Sequence, residues 1–334
     1  MSGRPPVAFI AWSPVAGRSQ EIAGALGGEA RCFYWPGRYG KLSVLARYAR
    51  SAVKTARYLR RRRPRAVIVS NPPLVPGVLA WAYARSHGAP VALDSHPGGF
   101  GLQGDRVSRA LQPLHAWLAR RVTTTLVTDG RLAERVRGWG GCADIVHEAP
   151  IEWAGRPRGD LRERARVLFV CIFQRDEPVA EVVEAARRLP QLEVCVTGHP
   201  AKCPPALRES APPNVRFVGF LERERYEQAV LDADVVLALT TEPSSVVRAG
   251  YEAVYAERPL VVSDWPASRE VFPHAVHAAN DAAGVAAALA RAVRDHDRLA
   301  RQTGPALALQ RARWEEQLSA LRHRLTPTPT PTRS

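Results

Sequence analysis

The feature that most constrains this chain is an alternation of short apolar runs and helical patterns that breaks once and then restarts. Val7–Ala11 is apolar and ends in a polar turn, Trp12–Gly17, before a helical pattern from Ser19 to Leu26. A basic helical stretch follows. Then come apolar Ala66–Ser70 before Asn71-Pro72-Pro73, a mostly apolar helix over Leu74–Ser86 and a buried-type strand over Pro90–Asp94. A Gly-rich loop (Ser95–Gly104), a helix (Val107–Arg121), a strand (Thr124–Thr128) and a helix (Gly130–Gly138) close the first half. Ala149–Arg164 is rich in Pro, Gly, Arg and Glu and has no apolar period. The second half reads strand Val167–Phe173, helix Val179–Leu189, strands Glu193–Thr197 and Val215–Gly219, helix Arg223–Asp232, strand Val235–Leu239, helix Val246–Glu257 and strand Leu260–Ser263. Helices at Ala282–Leu299 and Pro305–Arg324 finish it. Strands alternating with helical crossovers make parallel sheets, so the fold class is α/β.

At 334 residues the chain suits two domains of about 150 residues each. The expected division is a domain over 1–150, a linker over 151–164, a second domain over 165–304 and a helix over 305–325 packing back toward the first domain. The tail, 326–334, alternates Thr and Pro, has nothing to bury and is expected to be disordered. No stretch of 18 uncharged apolar residues reads as a membrane span. Met1–Trp12 lacks a signal-peptide pattern. Five dispersed cysteines (Cys32, Cys142, Cys171, Cys195, Cys203) read as free thiols of a cytoplasmic protein.

Lys plus Arg is 47 against 32 acids, a net +15, and only Lys41, Lys54 and Lys202 are lysines. Arg47–Arg65 carries nine of the cations and no acid, with Leu42, Leu45, Ala49, Ala52, Ala56 and Leu59 recurring at helical spacing. This is an amphipathic helix with a basic outer face. It is either a solvated face or a patch for an anionic membrane surface. Nucleic acid is a poor fit, because no zinc-finger spacing or aromatic RNA-binding motif accompanies the charge.

In open parallel sheets, ligands sit beyond the carboxyl ends of strands, so the loops there carry the candidates. Ser13–Gln20 opens a helix with Arg18 and Ser19 at its positive end, suited to an anion or equally to an ordinary cap. It matches neither the dinucleotide fingerprint nor the P-loop. Asp94-Ser95-His96 ends a strand, where His96 is a candidate base or hydroxyl ligand and Asp94 its orienting partner, or a loop-holding carboxylate. Phe173, Arg175, Thr197 and Gly198 sit at two further strand ends, as ligand contacts or plain turns. Thr240–Ala253 runs from a strand through a polar turn into a helix. Ser244 or Ser245 is expected to cap it, with Arg248, Tyr251 and Glu252 following.

Leu239–Asp264, with Gly250-Tyr251-Glu252-Ala253 and Pro259-Leu260-Val261-Val262-Ser263-Asp264, resembles the donor-binding half of GT-B glycosyltransferases of the group-four-like kind. Asn214–Leu221 resembles their N-V-x-F-x-G-x-L segment, and Asn71-Pro72-Pro73 with Asp94-Ser95-His96 resembles the acceptor half. The same pairing is found in the mannosyltransferase acting on lipid-linked chitobiose. The resemblance spans about Val7 to Trp314. It implies two Rossmann-like domains facing across a cleft, and a UDP- or GDP-linked hexose donor held by the second domain without a required metal or cofactor. A lipid-linked or glycan acceptor is expected, and the basic helix around Arg60 is the reason to place it at the inner membrane face. The resemblance makes Arg248 the cation for the leaving diphosphate, Glu252 the ribose contact and His96 the acceptor-side histidine. The first Glu of the family's E-x7-E element is replaced by Ser244, with Glu242 displaced by two. A UDP-sugar 2-epimerase of the same fold and a non-catalytic nucleotide-sugar-binding partner are the alternatives.

Overall fold

The computed structural model describes residues 4–14, 17–36, 41–102, 106–155, 157 and 159–326. It divides into unit 1 (Met1–Ala149 with Arg313–Ser334) and unit 2 (Pro150–Ala312). The tail beyond Thr326 lies outside the described residues.

Unit 1 runs β1 (Val7–Ala11), α1 (Gly17–Ala25), β2 (Glu29–Cys32), α2 (Lys41–Arg62), β3 (Ala66–Asn71) and α3 (Val75–His87). It continues with β4 (Val91–Ser95), α4 (Arg106–Ala110), α5 (Gln112–Ala119), β5 (Thr124–Val127), α6 (Gly130–Gly138) and β6 (Ala143–Ile145). Its parallel sheet has the order β2-β1-β3-β4-β5-β6. The strands alternate between two core layers. Phe9, Ile68, Ala92 and Leu126 face one layer, and Ile10, Val67, Val69 and Leu93 face the other. Such burial on both faces is what unbroken Val/Ile/Ala runs specify. The strand β2 has no such run, and the sequence reading misses it.

Unit 2 runs β7 (Arg166–Phe169), α7 (Val179–Arg187), β8 (Glu193–Thr197), α8 (Pro205–Glu209), β9 (Val215–Gly219), α9 (Arg223–Leu231) and β10 (Val235–Ala238). It continues with α10 (Arg248–Tyr255), β11 (Leu260–Ser263), α11 (Pro266–Val271), β12 (Val276–Ala278) and α12 (Ala282–Arg294). Its sheet order is β12-β11-β10-β7-β8-β9, the doubly wound order in which the first strand lies between the second and the fourth. Val167, Phe169, Val194 and Val235 face one layer, and Leu168, Cys195, Val236 and Val262 the other.

The stretch read as a linker, 151–164, packs on unit 2: Ile151 and Trp153 lean on one core layer and Leu161 on the other. The last helix, α13 (His296–Arg324), begins nine residues before Pro305 and contains it. Proline removes the N–H that would bond one turn back and crowds the carbonyl there, a local cost that a helix of 29 residues packed along its length absorbs. The end of α13 supplies Trp314, Leu321 and Leu325 to the unit 1 core.

The basic helix α2 turns a different face inward than its apolar spacing predicts. Ser51, Thr55 and Leu59 are buried, while Leu45 is 70% and Val53 65% exposed. Polar partners set this rotation: Trp12 Nε1 donates to Thr55 Oγ1 (3.0 Å) and Ser51 Oγ to the Phe33 carbonyl (3.2 Å).

Candidate functional site

The doubly wound order of unit 2 creates a switch point between β7 and β10, where their following loops diverge to opposite sides. The loop after β7 is fastened by its own acids. Glu177 accepts from the Ile172 and Gln174 amides. Burial raises the Glu177 carboxyl above its ordinary value. The loop after β10 is tied to it, because Asp176 accepts from Thr240 Oγ1 (2.9 Å) and from the Thr241 amide. Thr240 also anchors the β11 and β12 ends: Ser263 Oγ accepts its amide, while Trp265 Nε1 and Asn280 Nδ2 donate to its carbonyl. Asp176, Thr240, Ser263 and Asn280 are positioning residues; sequence reasoning reaches the Thr240 and Ser263 segments but not this network, since the partners are 17 to 64 residues away. Burial, with Asp176 nearby, also raises the Glu242 carboxyl.

Around this switch point the predicted residues separate. Thr197 is buried, and its hydroxyl is engaged with the amide and carbonyl of Cys171 (both 2.9 Å). It shapes the loop and has no hydroxyl to spare for a ligand. Gly198 has φ +111°, and a Cβ there would stand 2.7 Å from the Phe173 ring. Phe173 itself has φ +59°. It packs on the core and sits 6.4 Å, ring to ring, from Phe217. Arg175 is exposed, and no hydrogen bond or ion pair engages it among the described residues.

Neither Ser244 nor Ser245 caps α10. The N-cap is Val247 in extended conformation, and no side chain closes the first turn. Both serines are half-buried in the preceding turn, where the Ser245 amide donates to the Glu242 carbonyl. Tyr251 is 2% exposed and packs edge-on against Phe272. This corrects the expectation that it touches a donor: it faces the core. Arg248 and Glu252, one turn apart, form an ion pair at 3.2 Å. Tyr226 Oη on α9 donates to the other Glu252 oxygen. Burial and the neighbouring carboxylate raise the Tyr226 phenol well above its ordinary value. The carboxylate is thus held in place from two sides.

In unit 1 the largest correction falls on Arg18. It is 7% exposed, and all its donors are committed. Nε and Nη2 reach Asp94 at 3.2 Å, and Nη2 also reaches the Val146 carbonyl at 2.7 Å. Nη1 reaches the His147 carbonyl at 2.8 Å and Glu148 at 3.1 Å. An arginine so enclosed does not receive a phosphate. It ties α1 to the ends of β4 and β6. Ser19 is buried inside α1, which starts at Gly17, so it is not the helix cap.

His96 follows β4 with its side chain half exposed, and its Nε2 lies 3.7 Å from Asp94 Oδ2. Its amide donates to the Asn71 carbonyl (2.9 Å). Beneath it lies a cluster absent from the sequence reading. His115 Nε2 accepts from Asn71 Nδ2 (3.0 Å) and Ser95 Oγ (3.1 Å), and its Nδ1–H donates to the Gly99 carbonyl (3.1 Å). Burial holds His115 neutral, pulling its pKa to about 4. The histidine at the surface therefore stands on a fixed, uncharged base.

The N-terminal half, residues 6–151, matches the model of a glycosyl transferase 4-like domain. Residues 164–295 match the model of glycosyl transferases group 1. The chain belongs to a glycosyltransferase fold family. Its architecture is GT-B, with two Rossmann-like domains, as solved glycosyltransferase structures also show. Sucrose-phosphate synthase from Thermosynechococcus elongatus is 16% identical, with TM-score 0.70, over 95% of this chain and 100% of that one. Anabaena HepE, solved in complex with UDP and glucose, is 12% identical with TM-score 0.73, over 96% and 100%. A UDP-forming trehalose-phosphate synthase from Burkholderia xenovorans is 13% identical with TM-score 0.60, over 88% and 81%. No curated protein sequence matches this glycosyltransferase.

Proposed function

We propose that this glycosyltransferase moves a hexose from a UDP- or GDP-linked donor to a hydroxyl of a lipid-linked or glycan acceptor, with unit 2 holding the donor. The observation that carries the reading is the switch point of unit 2, where Arg175, with no partner among the described residues, sits on one loop and the other leads into α10 with Arg248 and Glu252 on its first turns. Departure of a nucleoside diphosphate develops negative charge on its terminal oxygens. Arg175, Arg248 and the uncapped amides of α10 are the donors suited to that charge. They supply it from the chain itself, so the reading calls on no metal. Glu252 accepts the ribose hydroxyls, and Ser244 and Ser245 offer hydroxyls beside the diphosphate. His96 serves the acceptor hydroxyl, with Asp94 steadied by Arg18 behind it.

HepE was solved with UDP and UDP-glucose, which ranks UDP first among donors to try. Calorimetric titration with UDP, GDP and their sugars tests the reading. The expected result is binding of one nucleotide series, weakened at least tenfold or so by R248Q, the loss of one charge-assisted hydrogen bond. No binding, or binding indifferent to R175Q, R248Q and E252A, would overturn it. Product analysis separates transfer, which yields free nucleoside diphosphate and a glycoside, from an epimerised sugar nucleotide.

The reading extends to an anionic membrane surface on the cytoplasmic side. On α2, Leu45 and Val53 stand exposed among Arg47, Arg50, Lys54, Arg57 and Arg61, the mixture that seats an interfacial helix. No described helix is long and apolar enough to cross a membrane. Flotation with anionic vesicles checks this: L45S/V53S is expected to reduce binding, and unchanged binding would remove the membrane from the reading.

A further inference from the structure

At the N-terminal edge of the unit 1 sheet, Arg4, Arg63, Arg65, Tyr83 and His87 line a cavity of about 200 Å³. These residues precede β1 and β3 or end α3, so the cavity opens at the opposite end of the strands from His96. A strand the length of β4 separates the two by about 15 Å. No carboxylate lines the cavity. No described partner engages the guanidinium of Arg4, Arg63 or Arg65.

The backbone adds a second observation. Arg63 directly follows α2 with φ +47°, and its amide donates to the Leu59 carbonyl at 3.0 Å. That left-handed position closing a helix is ordinarily glycine's, and a side chain there carries strain. The wall behind is rigid. Tyr83 is 7% exposed and donates its hydroxyl to the Pro64 carbonyl (2.9 Å). His87 stacks on the Tyr83 ring at 4.2 Å between centroids. Burial raises the Tyr83 phenol, while Arg4 and Arg63 pull the other way, which sets both cations beside it. Three exposed guanidiniums with no described partner face one concave space and are placed to share an anion. Arginine's planar fork fits the oxygens of a phosphate.

We infer that this cavity is a binding site for a phosphate monoester group, separate from the donor site of unit 2. The group can belong to a lipid headgroup, since the last turn of α2, Arg60–Arg62, runs directly into the cavity, or to a small soluble phosphate.

The test uses the full chain, inorganic phosphate and glycerol 3-phosphate, read by calorimetry and by thermal shift against chloride of equal ionic strength. Wild type is expected to bind both. R63G removes a guanidinium while installing the residue its backbone favours, so the fold is retained. With R65Q it is expected to weaken phosphate binding tenfold or more. R60Q/R61Q removes the same charge from the neighbouring helix turn and is expected to leave that affinity unchanged. The thermal shift given by a bound nucleotide reports the fold of each variant and the unit 2 site independently. Vesicles of phosphatidylcholine with phosphatidic acid, compared with phosphatidylglycerol, assign the source. Preference for phosphatidic acid that R63G/R65Q abolishes assigns a lipid headgroup. Glycerol 3-phosphate binding without vesicle preference assigns a soluble phosphate. The inference is overturned if phosphate acts no differently from chloride, or if R60Q/R61Q weakens binding as much as R63G/R65Q.

Discussion

Arg18 and Glu252 show how differently two charged side chains in strand-end regions can be used. Arg18 makes every bond its guanidinium can make with groups of its own unit, so its removal strands Asp94, 2% exposed, without its counter-ion. R18M is therefore expected to lower the unfolding free energy by roughly 3–5 kcal/mol, and R18M/D94N to recover part of it, because the cost is an uncompensated buried charge. Urea unfolding of the single and double variants measures this, and additive losses would contradict it. Glu252 is held by Arg248 and Tyr226 with one side still reachable, its side chain 15% exposed. E252A leaves the Tyr226 hydroxyl without its acceptor, a cost of about 1–3 kcal/mol. The fold should survive while UDP affinity falls about tenfold or more by calorimetry, and wild-type affinity would remove Glu252 from the donor contacts. From sequence, both residues look like donor-site candidates near a helix start, Arg18 as an anion contact and Glu252 as the ribose contact. What separates them is the carboxylate 76 positions away that claims Arg18, and no local pattern carries that information.

Elements were more legible than side chains. Continuous apolar runs and helical spacing located most of the buried strands and crossover helices, because burial on both faces of a parallel sheet demands such runs. The rotation of α2 was not legible, since the hydroxyls of Thr55 and Ser51 outcompete Leu45 for the interior through Trp12 and Phe33. The polar layer under β3 and β4 was equally hidden, because His115 sits in what reads as an ordinary helix. His115, together with His147 after β6, has a measurable signature. Burial depresses both His115 and His147 to about 4, below the ordinary 6.5 of an unfolded histidine. Between those values the unfolded chain binds the protons and the folded chain does not. Stability is thus full above pH 6.5 and falls as the pH drops toward 4, by as much as ~3 kcal/mol per histidine. H115Q is expected to reduce the slope of unfolding free energy against pH across that window by about one proton, as read by urea titrations. An unchanged slope would mean that His115 is protonated in the native state. The Gly198 turn gives the counterpart in unit 2. With φ +111° and the Phe173 ring at 2.7 Å from any Cβ, G198A must displace the loop that carries Arg175. It is expected to weaken UDP binding more than it lowers Tm.

Two sheets with separate pairs of core layers imply two cooperative units, yet α13 gives the end of one chain segment to the core of the other unit's sequence neighbours. Its first part belongs to unit 2, where Gln310 Nε2 donates to the Val271 carbonyl. Its last turns belong to unit 1, where Leu321 is fully buried beside Trp314 and Leu325. A chain that returns to its first core closes unit 1 only after unit 2 has been synthesised. The sequence reading expects a helix over 305–325 that packs back toward the first domain, although apolar periodicity by itself says that a face is buried and not against what. The consequence is testable in the intact protein. L321A opens a cavity in the unit 1 core at a cost of about 2–5 kcal/mol. Scanning calorimetry is expected to show a transition raised by UDP and a second one insensitive to it, with L321A lowering the second. In unit 2, V261A, at a site wholly buried in that unit's own core, is expected to lower the UDP-sensitive transition instead. If L321A lowers the UDP-sensitive transition as far as the other, the two cores unfold as one, and the division that assigns donor binding to unit 2 alone loses its thermodynamic basis.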